Sequence, residues 1–126
     1  MRAADTNVIV RIITRDDDKQ VPLADAFIAR SAWVSHLVLV ETAWVLSKAY
    51  KLEPAAIATA IEMLLNHETL SLQDADVVTA ALDQYRARPS LGFSDCLVLE
   101  IARKAGHLPF GTFDKNLSRL DGAERL

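Results

Sequence analysis

Cysteine is almost absent from this chain, which has a single cysteine, Cys96, in 126 residues. One cysteine excludes an internal disulfide bond and any zinc site built from several thiolates. Because Cys96 lies inside an apolar segment, we expect a small buried hydrophobic side chain there and not a catalytic thiol. Glycine and proline are also scarce, with four of each, while 51% of the residues are hydrophobic. This composition indicates an ordered globular protein without disordered linkers.

Long apolar runs and a strong charge of either sign are missing too. The longest apolar stretch, at about 37–46, falls well short of the roughly 20 residues that a membrane span requires. The first residues lack the apolar core of a signal peptide, so we expect a cytoplasmic protein without membrane contact. The formal net charge of −3 argues against a protein that coats nucleic acid through bulk positive charge. It does not exclude a nuclease whose acidic residues are neutralised by a metal ion.

Short apolar strands alternate with helical segments along the chain. Strands are predicted at about 2–5, 33–35 and 69–72, before Asp114, and at an edge within 121–126. Helices are predicted from Thr6, over 21–30 and 37–51, and from Pro54, Asp74 and Asp95, the last ending at Gly106. This order predicts one α/β domain over residues 1–126, with a central, short-stranded parallel sheet and helices on both faces.

Glu41 is the charge that the sequence explains least. It interrupts an apolar run, and its neighbours on one helix face, such as Leu37 and Trp44, offer a carboxylate no partner. An ion pair with Lys48 or with a distant arginine is the ordinary explanation. The alternative is that Glu41 is a ligand for a cation.

Three aspartates recur where a short apolar segment gives way to a helix or a polar turn: Asp5, Asp95 and Asp114. Taken singly, each is well explained as a helix N-cap that accepts hydrogen bonds from free backbone N–H groups. Capping does not explain Glu41. In open α/β sheets the carboxyl ends of neighbouring strands meet at one crevice, so Asp5 and Asp114 could converge there. Together, the four carboxylates predict a divalent-metal site.

Four short motifs in this order resemble the PIN-domain ribonucleases, and among them the VapC-type toxins of bacterial toxin–antitoxin pairs. The motifs are Asp5-Thr6-Asn7, Glu41 within the segment 40–46, Ser94-Asp95, and Thr112-Phe113-Asp114. The resemblance covers essentially the whole chain and implies a PIN-like fold. It also implies that the four acids are catalytic and bind metal, and that Asn7 and Thr112 are supporting polar residues. Asn116 departs from the family where some relatives have a further acid, which bears on the number of metals.

Phosphodiester chemistry fits an acidic site of this kind. The substrate is anionic and hydrolyses slowly unless a cation offsets its charge and activates water, and Mg²⁺ or Mn²⁺ with oxygen ligands supplies both functions. We therefore expect Asp5, Asp95 and Asp114 to hold the metal, and Glu41 to bind it directly or through water. The resemblance implies cleavage of RNA, inhibition by a cognate antitoxin protein and assembly as a homodimer.

Two other functions stay open at this point. A phosphoacceptor receiver domain has similar length and element order, but it needs adjacent acids after the first strand, where Asp5 stands alone. A non-catalytic PIN-like binding module would keep the fold and the acids for partner recognition. Trp33 and Trp44 lie in apolar segments, so we expect them in the core and not as base-stacking residues. The stripe from Ile57 to Leu65 is expected to be core, with a homodimer surface as the alternative.

Overall fold

The structure is a computed structural model that describes residues 1–126. Six α-helices and five short strands, all paired in parallel, confirm the predicted α/β class. The chain packs as two compact units, Met1–Ala75 and Asp76–Leu126. None of the helices has both the length and the apolar character that a membrane crossing demands.

The first unit combines a three-stranded sheet with four helices. Its strands run in the order β1-β2-β3 and are β1 (Arg2–Ala3), β2 (Ala32–Val34) and β3 (Leu70–Leu72). Its helices are α1 (Thr6–Thr14), α2 (Gln20–Ala29), α3 (His36–Lys48) and α4 (Pro54–Leu65). Helix α1 packs against α2 and α3, and α4 packs against α3 and β3. All seven elements lie close to the positions that the sequence predicts.

Residues in register across β2 and β3 share the same burial. Ala32 pairs with Leu70, and Val34 pairs with Leu72, and all four are buried. Trp33, between them, pairs with Ala3 and Ser71, and this row is exposed. Successive side chains of a strand point to opposite faces, so the exposed row belongs to one face of the sheet. The prediction that Trp33 lies in the core is therefore wrong, because 38% of it is exposed.

Helix α3 also turns a different face to solvent than its sequence suggests. Ser35 caps it by accepting a hydrogen bond from the Val38 N–H at 3.2 Å. Its buried positions are Leu39, Thr42 and Leu46, which follow one another at helical spacing. The opposite stripe is exposed and contains Leu37, Glu41, Trp44 and Lys48. Trp44 is 63% exposed, so its predicted place in the core is wrong as well.

Helix α4 begins with Pro54, whose fixed φ and missing N–H suit the first turn of a helix. Its apolar stripe faces the interior, since Ile57, Ile61 and Leu64 are all buried. The structure therefore confirms the core reading of this stripe. Burial of such side chains is the main stabilising contribution in a unit of this size.

The second unit contains α5 (Ala75–Ala87), α6 (Phe93–Ala105), β4 (Phe110–Thr112) and β5 (Ala123–Arg125). The first residue of α5, Ala75, is the last residue of the first unit. Gly106 ends α6 with φ of 83°, a left-handed conformation that glycine adopts without steric cost. The predicted strand β4 and the predicted edge strand β5 both form. They pair with each other in a separate two-stranded sheet, whereas a fourth strand of one central sheet was expected.

Candidate functional site

Thr6 connects two of the four predicted acids. Its backbone N–H donates to Oδ1 of Asp5 at 2.8 Å, and its hydroxyl donates to Oε2 of Glu41 at 2.9 Å. Asp5 lies just after β1 and caps α1, while Glu41 lies on α3, which packs against α1. One residue at the start of α1 therefore holds the carboxylates of two different elements. The capping explanation for Asp5 is confirmed, and it leaves the second oxygen of Asp5 available.

The Thr6 side chain is itself well packed, with only 7% of the residue exposed. A buried hydroxyl needs a hydrogen-bond partner, and Glu41 supplies it. Because the acceptor is a carboxylate, the bond is stronger than one between neutral groups. Sequence analysis missed Thr6 as a site residue. The sequence signal that could have identified Thr6 is its position, a hydroxyl residue between Asp5 and the apolar residues of α1.

Glu41 lies on the exposed stripe of α3, so its carboxylate is open to solvent although the run that contains it is apolar. No protein cation pairs with it, and the ion pair with Lys48 that offered the ordinary explanation does not form. Its Oε2 is taken up by Thr6, and its Oε1 accepts no hydrogen bond from the protein. Glu41 is thus a positioned, solvent-accessible carboxylate with one oxygen free to bind a ligand.

Asp114, in the second unit, also has one carboxylate oxygen held by hydrogen bonds and the other free. Its Oδ1 accepts hydrogen bonds from the backbone N–H groups of Asn116 at 2.8 Å and Leu117 at 3.0 Å. The hydroxyl of Thr112 accepts the backbone N–H of Asp114 at 3.0 Å, which fixes the turn that follows β4. The Thr112 side chain therefore supports Asp114 by holding the backbone N–H of Asp114. The Oδ2 of Asp114 accepts no hydrogen bond from the protein.

Asp95 is not the N-cap that the sequence suggests. Helix α6 begins two residues earlier, at Phe93, with Gly92 in the cap position, so Asp95 lies within the first turn. A carboxylate there still suits the partial positive charge of the helix N-terminus. Asp95 is half-buried, and its side chain makes no hydrogen bond within the protein. Its carboxylate has no structural task that the contacts reveal.

Asn7 lies one residue beyond Thr6, but its side chain makes no hydrogen bond to the acids. It lines a groove of about 320 Å³ between α1 and α2, together with Val8, Leu23 and Phe27. Its predicted supporting role is not visible in the contacts of the site. Cys96 lies in the interior of the second unit, where burial raises the pKa of its thiol to about 11. This confirms the expectation of an inert, buried side chain.

The donor set fits a hard divalent cation. Asp5, Glu41 and Asp114 each use one carboxylate oxygen to accept hydrogen bonds within the protein and present the other without a protein partner. Mg²⁺ and Mn²⁺ prefer oxygen ligands, and Mg²⁺ commonly binds one or two carboxylates with several waters. The structure contains no group of three or more His, Cys, Asp or Glu side chains clustered so that they could hold a metal ion. Asp5 and Glu41 belong to the first unit, and Asp95 and Asp114 to the second.

Comparison with known proteins gives one family and one solved structure. The model of the PIN domain family matches residues 3–123. No curated protein gives a significant match. The crystal structure of the VapC20 toxin of Mycobacterium tuberculosis, described as cleaving the sarcin–ricin loop, is similar with 19% sequence identity and a TM-score of 0.41, over 95% of this chain and 95% of that chain.

Proposed function

The chain belongs to the PIN-domain family, and we propose that it is a metal-dependent endoribonuclease that hydrolyses RNA phosphodiester bonds. The observation that carries this proposal is the pair of carboxylates, Asp5 and Glu41, that Thr6 holds on two adjoining elements. Acids that served only as caps would not need a partner on a second helix. Family membership argues against a phosphoacceptor receiver domain, and a non-catalytic PIN module becomes an outcome of the test below.

We propose that Asp5, Asp95, Asp114 and Glu41 hold Mg²⁺ or Mn²⁺. When bound, such a cation offsets charge on the phosphate and lowers the pKa of a coordinated water. The free oxygens of Asp5, Glu41 and Asp114 support these assignments. The assignment of Asp95 as a ligand rests on its matching position in the family motif and on the absence of a hydrogen bond from its side chain to the protein.

The protein's own groups contribute orientation. Thr6 fixes one oxygen of Glu41, so the other oxygen points in a restricted set of directions and can accept a proton from an attacking water. The backbone N–H groups of Asn116 and Leu117 fix the carboxylate of Asp114. Carboxylates whose positions are set before substrate arrives lose little conformational freedom during the reaction. This preorganisation is what the local hydrogen bonds add to the bare donor set.

A toxin of a bacterial toxin–antitoxin pair is the biological role that we propose. Its support is the sequence resemblance to VapC-type toxins in the four motifs that carry the acids. The role requires a cognate antitoxin, whose arginine side chains are suited to pair with exposed carboxylates such as Glu41. A homodimer and a cytoplasmic location belong to the same proposal.

The test is cleavage of a mixed RNA pool by the purified protein with Mg²⁺ or Mn²⁺, with EDTA as the control. The variants are Asp5→Asn and Glu41→Gln, which keep size and remove charge, and Asp83→Asn is a matched control on the exposed part of α5. We expect cleavage that needs the metal, is lost in both site variants and persists in Asp83→Asn.

Metal binding without cleavage of any RNA would favour the non-catalytic module. Cleavage that survives EDTA or persists in both site variants would refute the proposal, since either result separates the activity from the carboxylates. The cleaved bonds, mapped on the same pool, would identify the RNA used in the experiments below.

A further inference from the structure

The exposed stripe of α3 places an aromatic ring and a cation on the same face as Glu41. Trp44 follows Glu41 by three residues and Lys48 follows Trp44 by four, so each is a surface neighbour of the one before it. Trp44 is 63% exposed. A large aromatic side chain that solvent covers forgoes most of the burial energy available to it, which is typical of a residue with a binding function.

We propose that Trp44 stacks on an unpaired base of the RNA substrate next to the phosphate that is hydrolysed, and that Lys48 contacts the next phosphate. This inference rests on the proposed ribonuclease function and adds the class of nucleotide that the site accepts. The ring and the cation, on successive turns after Glu41, match the base and the next phosphate of one nucleotide step. From Glu41 to Lys48 the rise along the helix axis is about 10 Å, within reach of the flexible lysine side chain.

Lys48 is available for such a contact. It is exposed, it forms no ion pair within the protein, and its position in the last turn of α3 adds only the weak attraction of the helix C-terminus. Trp44 is equally available, because it lies in no aromatic pair and over no cation of the chain. Neither side chain has a structural partner that would account for its position.

The stacking surface selects single-stranded RNA. A base in a duplex has both faces covered by its neighbours, whereas an unpaired base in a loop can place one face on an aromatic ring. An apolar protein partner is the other possible occupant of this face. Leu37 lies on the same stripe, on the far side of Glu41, and is 67% exposed. An apolar partner would use Leu37 as much as Trp44 and would have no need of Lys48.

This difference gives the experiment a matched control. Trp33→Phe leaves Trp44 as the only tryptophan, and its fluorescence reports stacking directly. The probe is a short RNA hairpin with the cleaved sequence in its loop, compared with the same sequence in a duplex, without metal. Affinities of Trp44→Ala, Trp44→Phe, Leu37→Ala and Lys48→Ala are measured by anisotropy of labelled hairpin in the otherwise unchanged chain.

We expect the hairpin loop to quench Trp44 and the duplex to leave it unquenched. Trp44→Ala should weaken hairpin binding by about 5- to 150-fold, the range for loss of one stacked base, while Trp44→Phe keeps most of the affinity. Lys48→Ala should weaken binding and lower the salt dependence by about one phosphate contact. Leu37→Ala should bind as the wild type does.

Three results would overturn the inference. The first is hairpin binding without quenching of Trp44 fluorescence, and the second is an equal loss of hairpin affinity in Leu37→Ala and Trp44→Ala. The third is a change of oligomeric state in Trp44→Ala, which would indicate that a second copy of the chain covers this face. Cleavage by the wild type together with unchanged binding by Trp44→Ala would overturn the stacking alone. A wild type that neither binds nor cleaves RNA would overturn the proposed function with it.

Discussion

Replacement of Thr6 by valine isolates the hydrogen bond that positions Glu41. Valine matches threonine in shape and keeps the backbone N–H that donates to Asp5, so only the hydroxyl donor to Glu41 is lost. A hydrogen bond to a charged group contributes about 1.5–3 kcal/mol, and each 1.36 kcal/mol corresponds to a tenfold change in rate. If that interaction is needed in the transition state, kcat should fall about 10- to 150-fold with little change in KM.

The loss of stability should be much smaller than the loss of rate. Glu41 is exposed, so water can replace the missing donor, and the free energy of unfolding should fall by only about 1 kcal/mol. Single-turnover cleavage of a mapped RNA measures the rate, and urea denaturation measures the stability. Thr6→Ser keeps the hydroxyl and is the rescue variant. A Thr6→Val protein with wild-type kcat, or a serine variant as slow as the valine variant, would refute the positioning role.

Three further predictions concern charge and protonation. Asp5→Asn keeps a side-chain acceptor for the helix cap whereas Asp5→Ala does not, so thermal unfolding should show that the alanine variant is less stable than the asparagine variant by about 1 kcal/mol. Calorimetry should show that both variants bind the metal more weakly than the wild type. Equal metal affinity in the wild type and the asparagine variant would refute a ligand role for Asp5. The hydroxyl of Tyr50 donates to Asp16 at 2.6 Å and lowers the pKa of that carboxyl. Its stabilising contribution is therefore present above the unfolded-state pKa of about 3.9 and is lost as the pH falls through the lower folded-state value, so Asp16→Asn should flatten the acid limb of the unfolding curve; an unchanged limb would contradict this. Cys96, with its pKa raised to about 11, should resist thiol reagents in native protein near neutral pH and react only after unfolding, and rapid native labelling would contradict its burial.

Local signals in the sequence predicted most of the elements. Asp5 correctly marks the start of α1, and Gly106 correctly marks the end of α6, because capping depends on a few adjacent residues. Asp95 resembled a cap as well, yet α6 starts at Phe93, since helix start signals locate a boundary only to within a few residues. The sequence also did not predict that β4 pairs with β5 in a separate sheet, because strand pairing depends on contacts between distant parts of the chain.

The face of α3 was not predictable for a different reason. Its central run is apolar on all sides, so its hydrophobic pattern has no period that distinguishes the buried stripe of Leu39 and Leu46 from the exposed stripe of Leu37 and Trp44. The exposure of Glu41 was therefore not predicted, although its role as a site residue was still proposed from the same run. The bond from Thr6 to Glu41 joins residues 35 positions apart, and no local pattern encodes it.

We propose that Asp5 and Glu41, which Thr6 holds on two adjoining elements, serve one reaction. Single-turnover RNA cleavage by Asp5→Asn, Glu41→Gln and the double variant tests this most directly, at saturating Mg²⁺ or Mn²⁺ and at one RNA site. Groups that act as one unit are strongly non-additive, so the double variant should be about as slow as the slower single variant. Losses that multiply would show that Asp5 and Glu41 act independently, and would contradict a common site.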